Sequence, residues 1–483
     1  RGDCSMKNSI LFCLFLLLTS TEIANASDCE NDSKLIPRSP KISKKIMDQN
    51  MEPLLKRHVK KSSAGIVAAV IDQGNIEFFV CGNKSVNGNE PVSEETVFEI
   101  GSITKVFTAS VLMDMVNKGL VKLDDPIDLY LSDVKVPQFE EKKITLRHLA
   151  THTSGLPPLP DNFDQTNLSD PYKNYTTHEL YEFLNHYDLK KSPGEECSYS
   201  NLGMGLLGHV LSLVAKKSYE ELVVDTICNR LDMKKTGIAF NSVMDGDVAI
   251  GHNLDLPVGN WNFDVLAGCG AIRSNIKDMA GFLSANMGMV NTPISEVFKE
   301  CHQIQVSIPG FGGMGLGWQI TDRGIICHTG GTGGFLSFIG FNPKNQKGIV
   351  LLSNSTDFFS DNLTLGQLDP ENFIPEKPID EALSALTYLK QFEGVFETVP
   401  SAENSKQEQL IILHYGVYGR NLWVWTPSGD KGVLKPLSFG VFGTVGAPEE
   451  YYTRFVFDDN NRIVKVQLNN PNGLIEAFPK AQP

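Results

Sequence analysis

An α/β chain that ends in a small all-β domain is the fold class predicted here, and three observations predict it. Up to about residue 365, helix-like stretches alternate with short β-branched and aromatic runs. The Pro-rich stretch GQLDPENFIPEKPID then interrupts that alternation. Beyond about Ala382 only short β-rich runs remain, among them GVFETV, LIILHYG, NLWVWTP, YYTRFVFDD and IVKVQLNN, each bounded by turn residues. That pattern predicts a small sandwich or barrel. At 483 residues, 41% hydrophobic and 21% charged, the chain is long enough to bury a large core and has ordinary globular composition.

The elements follow in order. From Met6 the text MKNSILFCLFLLLTSTEIANAS has one Lys, a nine-residue apolar run from Ile10 to Leu18 and the small-residue site Ala24-Asn25-Ala26. This is the layout of a signal peptide over 6–26, too short to span a bilayer. It predicts an exported chain, periplasmic or secreted, with no stable membrane anchor in its mature form. A polar linker follows at 27–43, and a helix-like stretch runs from about Ile42 to Lys61. AGIVAAVIDQGNIEFFVCG reads as a hairpin turning at Asp72-Gln73-Gly74-Asn75. A helix carrying Ser102 runs to about Lys118, where Gly119 stops it. A long polar, Pro-rich loop at 157–175 precedes a helical block that ends near Leu231. Later, GIICHTGGTGGFLSFIGFNPKNQKGIVLLSNST reads as adjacent strands turning at Asn342-Pro343-Lys344-Asn345. The organisation expected is a main domain at 44–365, a linker at 366–381 and a β domain at 382–483.

Charge and cysteines exclude other classes. The net charge of −14, with no basic run beyond pieces such as KRHVKK, excludes nucleic acid as a partner. Of nine cysteines, seven remain after the leader, with no C-x-x-C spacing. Zinc and redox clusters are therefore not expected, and the odd count leaves at least one free thiol. Otherwise each cysteine reads as a small buried apolar residue. His148 and His152 stand four apart in LRHLATHTSGL but lack the Glu of H-E-x-x-H, and are read as structural.

Three short segments carry chemistry. In FEIGSITKVFTA, Ser102 and Lys105 are three residues apart, on one face of a helix start. Backbone N–H groups and the positive helix end there stabilise an oxyanion. A buried amine one turn away can act as base for the hydroxyl. In GEECSYSNLGMGLLG, the Tyr199 phenol can relay a proton, and the Asn201 amide can hold the lysine or a substrate carbonyl. As a purely structural pair, Tyr199 would pack at a helix start that Asn201 caps. In CHTGGTGGF, His328, Thr329 and Gly330 sit where a strand edge passes the site, and the glycines let a substrate backbone approach.

Ser-x-x-Lys, Tyr-x-Asn and His-Thr-Gly, in this order, resemble the signature of the penicillin-recognising serine hydrolases. The branch resembled holds class C β-lactamases, D-alanyl-D-alanine carboxypeptidases, D-aminopeptidases and related esterases. LRHLATHTSGLP, AGCGAIRSNIKDMAGFL, GMGLGW and GFNPKNQKGIVLLSN are similar too, so the likeness covers about 45–360. It implies a β-lactamase/transpeptidase-like three-layer α/β (α+β) sandwich, with a mostly antiparallel sheet and a helical lobe after the Ser102 helix. It also implies Ser102 as acylated nucleophile, Lys105 as base or relay, and Tyr199 sharing proton transfer. Asn201 would bind the substrate amide. His328, with Thr329, Gly330 and Gly331, would line the opposite wall, near a substrate carboxylate or in the proton network. The backbone N–H groups of Ser102 and Gly331 would form the oxyanion hole, with no metal or other cofactor. The expected partner is a small molecule or peptide: a β-lactam, a cell-wall peptide or an ester. Rival readings are a carboxylesterase of the same superfamily, a slowly deacylating penicillin-binding sensor, and an interaction protein working through its β domain. Many class C enzymes carry Lys where His328 stands, which weighs toward the peptidase and esterase members. Glu195 and Glu196 are expected to face solvent near a turn rather than serve deacylation.

Overall fold

The computed structural model describes residues 51, 55, 64–86, 88–164, 169–239, 244, 246–253, 256–356 and 364–370, and, towards the C-terminus, 392–398, 412–418, 421–425, 431–438, 441–444, 452–458, 462–470 and 473–479. The signal peptide expected at 6–26, the linker at 27–43 and the 371–381 part of the second linker lie outside these residues. Of the helix expected near 42–61, Met51 and Leu55 are described, both helical and buried. The chain divides into two compact units, one centred on Asn25–Thr356 and one on Ile374–Pro483.

The larger unit is organised by an eight-stranded antiparallel sheet. Its strands are β1 (Ile66–Asp72), β2 (Asn75–Cys81), β3 (Val306–Ile308), β4 (Gly312–Met314), β5 (Gln319–Thr321), β6 (Ile326–Gly331), β7 (Leu336–Asn342) and β8 (Lys347–Ser353). Their order across the sheet is β2-β1-β8-β7-β6-β5-β4-β3. The expected hairpin forms with a two-residue loop: Asp72 pairs Asn75, and Gln73 (φ 48°) and Gly74 (φ 87°) both take positive φ, as a right-twisted hairpin favours. Every residue of β7 and nearly every residue of β1 and β8 is buried, so both faces of the central sheet are covered and it forms a middle layer. Leu283 and Met287 meet one face at Gly348.

The helical lobe lies between β2 and β3 in sequence. It contains α1 (Thr104–Asn117), α2 (Leu146–Ala150), α3 (Thr177–His186) and α4 (Asn201–Ala215), after which α5 (Ile276–Asn286) and α6 (Ser295–Cys301) return towards the sheet. Helix α1 is buried over Thr104–Met115, all round rather than on one stripe, which makes it the axis of the unit. The smaller unit is a closed antiparallel barrel of eight sequential strands, from Gly394–Thr398 to Gly473–Pro479. Closure is made by Phe396 pairing Pro479 and Thr398 pairing Ala477. Phe392, Phe396, Tyr415, Phe442 and Phe455 pack within it, consistent with a barrel just wide enough to be filled by side chains.

Candidate active site

Ser102 sits in a single 3-10 turn, Gly101–Ile103, immediately ahead of α1, rather than inside the α-helix. Gly101 takes φ +50°, and a Cβ there would stand 2.6 Å from the Gly331 backbone nitrogen. The turn that presents Ser102 therefore lies directly against the end of β6. A Cβ on Gly330 would fall 2.0 Å from the Ile100 carbonyl oxygen and 2.3 Å from Ser337 Oγ. Ser337 Oγ in turn donates to Ile100 O at 2.8 Å. Two glycines thus allow strand and turn to meet backbone to backbone, where a side chain on either would separate them.

At the second position of α1, one turn beyond Ser102, Lys105 is completely buried. Its Nζ reaches Ser102 Oγ at 2.9 Å, Asn201 Oδ1 at 2.8 Å and the Cys269 carbonyl oxygen at 2.7 Å. It also lies 4.7 Å from the centre of the Tyr199 ring, within cation–π range. The second motif is held as a bend into α4. Ser200 is the N-cap, its Oγ accepting from Gly203 N at 2.8 Å and donating to Pro157 O at 2.7 Å. The cap is therefore Ser200 and not Asn201, which leaves the Asn201 amide at the first helical position, turned to Lys105. Its Nδ2 donates to the Tyr172 hydroxyl at 3.1 Å.

His152 is not part of the i, i+4 pair that the spacing suggested. It lies beyond α2 at φ 58°, buried, with its ring 4.5 Å from that of Tyr199 and its Nδ1 accepting from Ser200 N at 3.1 Å. His148 instead completes the capping box of α2, Nδ1 accepting from Thr145 N. Both have the structural roles read from the sequence, and His152 braces the Tyr199–Ser200 bend.

On the strand side, His328 is buried in β6 with its ring centre 6.3 Å from that of Tyr199. Its Nδ1 lies 2.6 Å from Thr329 O, and since a carbonyl can only accept, Nδ1 carries the proton. Burial first, then the nearby Lys105 charge, pushes His328 down to about 3, against the pull of the Thr329 carbonyl. The same two causes, with His328 itself, hold His152 well below its ordinary value. Both imidazoles are neutral at physiological pH. Glu195 is exposed, as expected, but Glu196 is not: its side chain is 10% exposed and pairs with Lys191.

The structure brings Ser102, Lys105, Tyr199, Asn201, His328 and the Thr329–Gly331 edge into one site. It adds two groups the sequence reading passed over, the Cys269 carbonyl and the Tyr172 phenol, and sets the His152 ring, read there as structural, against Tyr199. A backbone carbonyl has no side-chain signature, and Tyr172 lies in the 157–175 loop that reads as a spacer.

Known proteins resemble this chain over most of its larger unit. The family model described as Beta-lactamase matches residues 45–369. A Beta-lactamase of Pseudomonas fluorescens is 25% identical over 350 residues, covering 64% of this chain and 93% of that protein. The D-alanyl-D-alanine-carboxypeptidase/endopeptidase AmpH of Escherichia coli (strain K12) is 26% identical over 370 residues, covering 72% of this chain and 92% of that protein. Among solved structures, a Beta-lactamase/D-alanine Carboxypeptidase from Yersinia pestis complexed with citrate superposes with a TM-score of 0.59 at 25% identity, over 67% of this chain and 96% of that one. An octameric penicillin-binding protein homologue from Pyrococcus abyssi shares the fold, with a TM-score of 0.61 at 24% identity, over 89% of this chain and 100% of that one. Fold and relatives together define a serine hydrolase. The chain belongs to the beta-lactamase family.

Proposed function

We propose that this chain is an exported hydrolase that works through an acyl-enzyme on Ser102, cutting β-lactams or D-amino-acid peptide amides. The observation that carries the reading is the set of contacts at Lys105 Nζ. Asn201 Oδ1 and the Cys269 carbonyl can only accept, so they take two N–H bonds. The remaining direction faces Ser102 Oγ, which can both donate and accept. As an ammonium, Lys105 donates to Oγ; as a free amine, it accepts the Oγ proton along the same 2.9 Å line. The geometry serves the states before and after proton transfer without rearrangement.

In this reading Oγ bonds to the substrate carbonyl carbon as its proton passes to Nζ. Tyr199, against Lys105 and His152, passes a proton on to the leaving nitrogen or oxygen. The Ser102 and Gly331 N–H groups receive the oxyanion. Water then attacks the acyl carbon and regenerates Ser102. Asn201, Thr329 and Gly330 face the substrate, and neutral His328 belongs to the proton network. Export rests on the sequence of 6–26; among the described residues no helix is long and apolar enough to cross a membrane.

A second reading, an esterase of the same chemistry, is favoured by one observation: His328 is uncharged, so it offers no cation to a substrate carboxylate. Intact-protein mass after brief mixing with benzylpenicillin separates the two. The expected result is a gain of one penicillin on the native chain and none on Ser102→Ala. No gain on either sinks the β-lactam reading, and p-nitrophenyl acyl esters become the next substrates.

A further inference from the structure

His152 stands in the turn that follows α2 at φ 58°, an uncommon, left-handed backbone conformation for a residue with a side chain. Three of its contacts fall on one short segment, 198–200. Its backbone oxygen accepts from Ser198 N at 2.7 Å. Its Nδ1 accepts from Ser200 N at 3.1 Å. Between these two bonds its ring lies against the Tyr199 ring, with centres 4.5 Å and planes 37° apart. Tyr199 is thus gripped through the backbone on either side of it and through its own ring. Next along the chain, Thr153 O accepts from Gly194 N at 2.7 Å, which ties the same turn to the start of the segment. Backbone strain of this kind persists only where the surroundings over-determine it, and it collects where position matters.

The chemistry of the ring decides what kind of help it gives. Because Nδ1 accepts, the proton is on Nε2, which is buried and meets no acceptor among the described residues. A second proton, on Nδ1, would set N–H against the Ser200 N–H and open the grip. Burial first, then the Lys105 charge, keeps that proton off. His152 therefore neither takes up a proton nor hands one on. What it gives Tyr199 is a fixed place.

We propose that His152 is a positioning residue for one step, the hand-over of a proton from Tyr199 to the leaving atom. This rests on the acyl-enzyme reading above and deepens it. In that step Oγ–H and the bond from acyl carbon to leaving atom break, and the bond from Oγ to that carbon forms. The leaving atom gains the Tyr199 proton, which Lys105 replaces with the one taken from Ser102. A group that departs as a stable anion needs little of that proton, whereas an alkoxide or an amide nitrogen needs all of it. Displacing Tyr199 therefore slows substrates according to the basicity of what leaves. General loosening of the fold slows them all alike.

The test pairs an undemanding acyl donor, a p-nitrophenyl ester, with two demanding ones, an ethyl ester of the same acid and benzylpenicillin. The rate of Ser102 acylation per unit concentration is read for the native chain, His152→Phe and His152→Asn, with Ser102→Ala as the blank. Phe keeps an aromatic ring and removes the acceptor for Ser200 N. Asn keeps an acceptor and tolerates positive φ. His152→Phe should lose about tenfold on the demanding donors that the native chain accepts, and about twofold or less on the p-nitrophenyl ester. His152→Asn should lose only about threefold on the demanding donors, and again less on the p-nitrophenyl ester. Equal losses on both kinds of donor make His152 merely structural and overturn the proposal, as does no loss on either. Should His152→Phe not fold, the same inequality in His152→Asn decides. A native chain that accepts only the p-nitrophenyl ester overturns the proposal too, since no proton is then delivered. The native chain giving no Ser102-dependent reaction with any of the three is a different failure. It removes the acyl-enzyme reading itself, and this inference with it.

Discussion

On the helix side of the candidate site, the contacts are made by side-chain atoms. Lys105 Nζ contacts three oxygens within 2.9 Å, Asn201 is bonded at both ends, and the Tyr199 bend is braced by His152. On the strand side, Gly330 and Gly331 have no side chain and the one titratable ring, His328, is neutral. What this wall contributes is shape: backbone brought within van der Waals range of the Ser102 turn because Gly101 and Gly330 leave no Cβ between them. A chemical wall and a geometric wall fail in different ways, and substitutions can separate them.

The largest effect is expected on the chemical wall. Lys105→Met should lower turnover by about 10²- to 10⁴-fold, the usual worth of a positioned acid–base group. Its unfolding midpoint should move little by comparison, since Met fills the space and no unpaired charge is left behind. Lys105→Arg should be as inactive, because a planar guanidinium cannot present one nitrogen to three oxygens. Steady-state kinetics beside urea unfolding checks both. Retained activity in either variant would remove Lys105 from the mechanism.

Gly330→Ala strikes the geometric wall. The new methyl would meet the Ile100 carbonyl at 2.0 Å, a backbone atom that can yield only by parting β6 from the Ser102 turn. A displacement on the order of 1 Å at the reacting groups costs about 10²-fold in rate, and overpacking costs about 1–3 kcal/mol. Unlike Lys105→Met, this variant should lose rate and stability together. Gly259→Ala is the control, since a Cβ there has nothing within 4 Å. Equal unfolding midpoints for the two alanine variants would break the distinction between the walls.

The two walls also differ in how plainly they were written in the sequence. Ser102, Lys105, Tyr199 and Asn201 were legible as one group only through three motifs standing in family order, since each motif alone also has a structural reading. The hairpin at Gln73-Gly74 was legible because apolar β-branched runs flank a short polar, Gly-containing turn, although of its two loop residues only Gly74 takes positive φ readily. Ser200 as the cap in place of Asn201 was not, because both residue types cap helices well and only the fold determines which is turned away. Tyr172 was hidden because its partner Asn201 is 29 positions on, across a loop with no periodicity of its own. The C-terminal strands were readable as strands, but barrel and sandwich differ only in whether Gly394–Thr398 meets Gly473–Pro479, a pairing no local pattern announces.

The smallest effect sharpens the comparison by moving it away from the site. His302 is half-buried, its ring packed between Trp318 (5.4 Å) and Phe341 (5.1 Å) and its Nε2 3.1 Å from Asn286 Oδ1. Burial alone holds it at about 3, as low as His328, which has Lys105 nearby as well. A lowered imidazole thus occurs away from the candidate site as well as in it. In the unfolded chain these rings take up a proton near 6.5. Between about 6.5 and about 3 the unfolded state therefore binds more protons than the folded one, and stability falls as pH falls through that window. Each ring contributes a slope of about 1.4 kcal/mol per pH unit once the pH is well below 6.5. His302→Phe keeps the aromatic packing and removes one such slope. Urea unfolding from pH 7.5 down to pH 4.5 should show the variant losing stability less steeply than the native chain, with activity at pH 7.5 unchanged. Parallel stability curves would mean that His302 takes up its proton in the folded chain much as in the unfolded one, and that its surroundings do not hold it neutral.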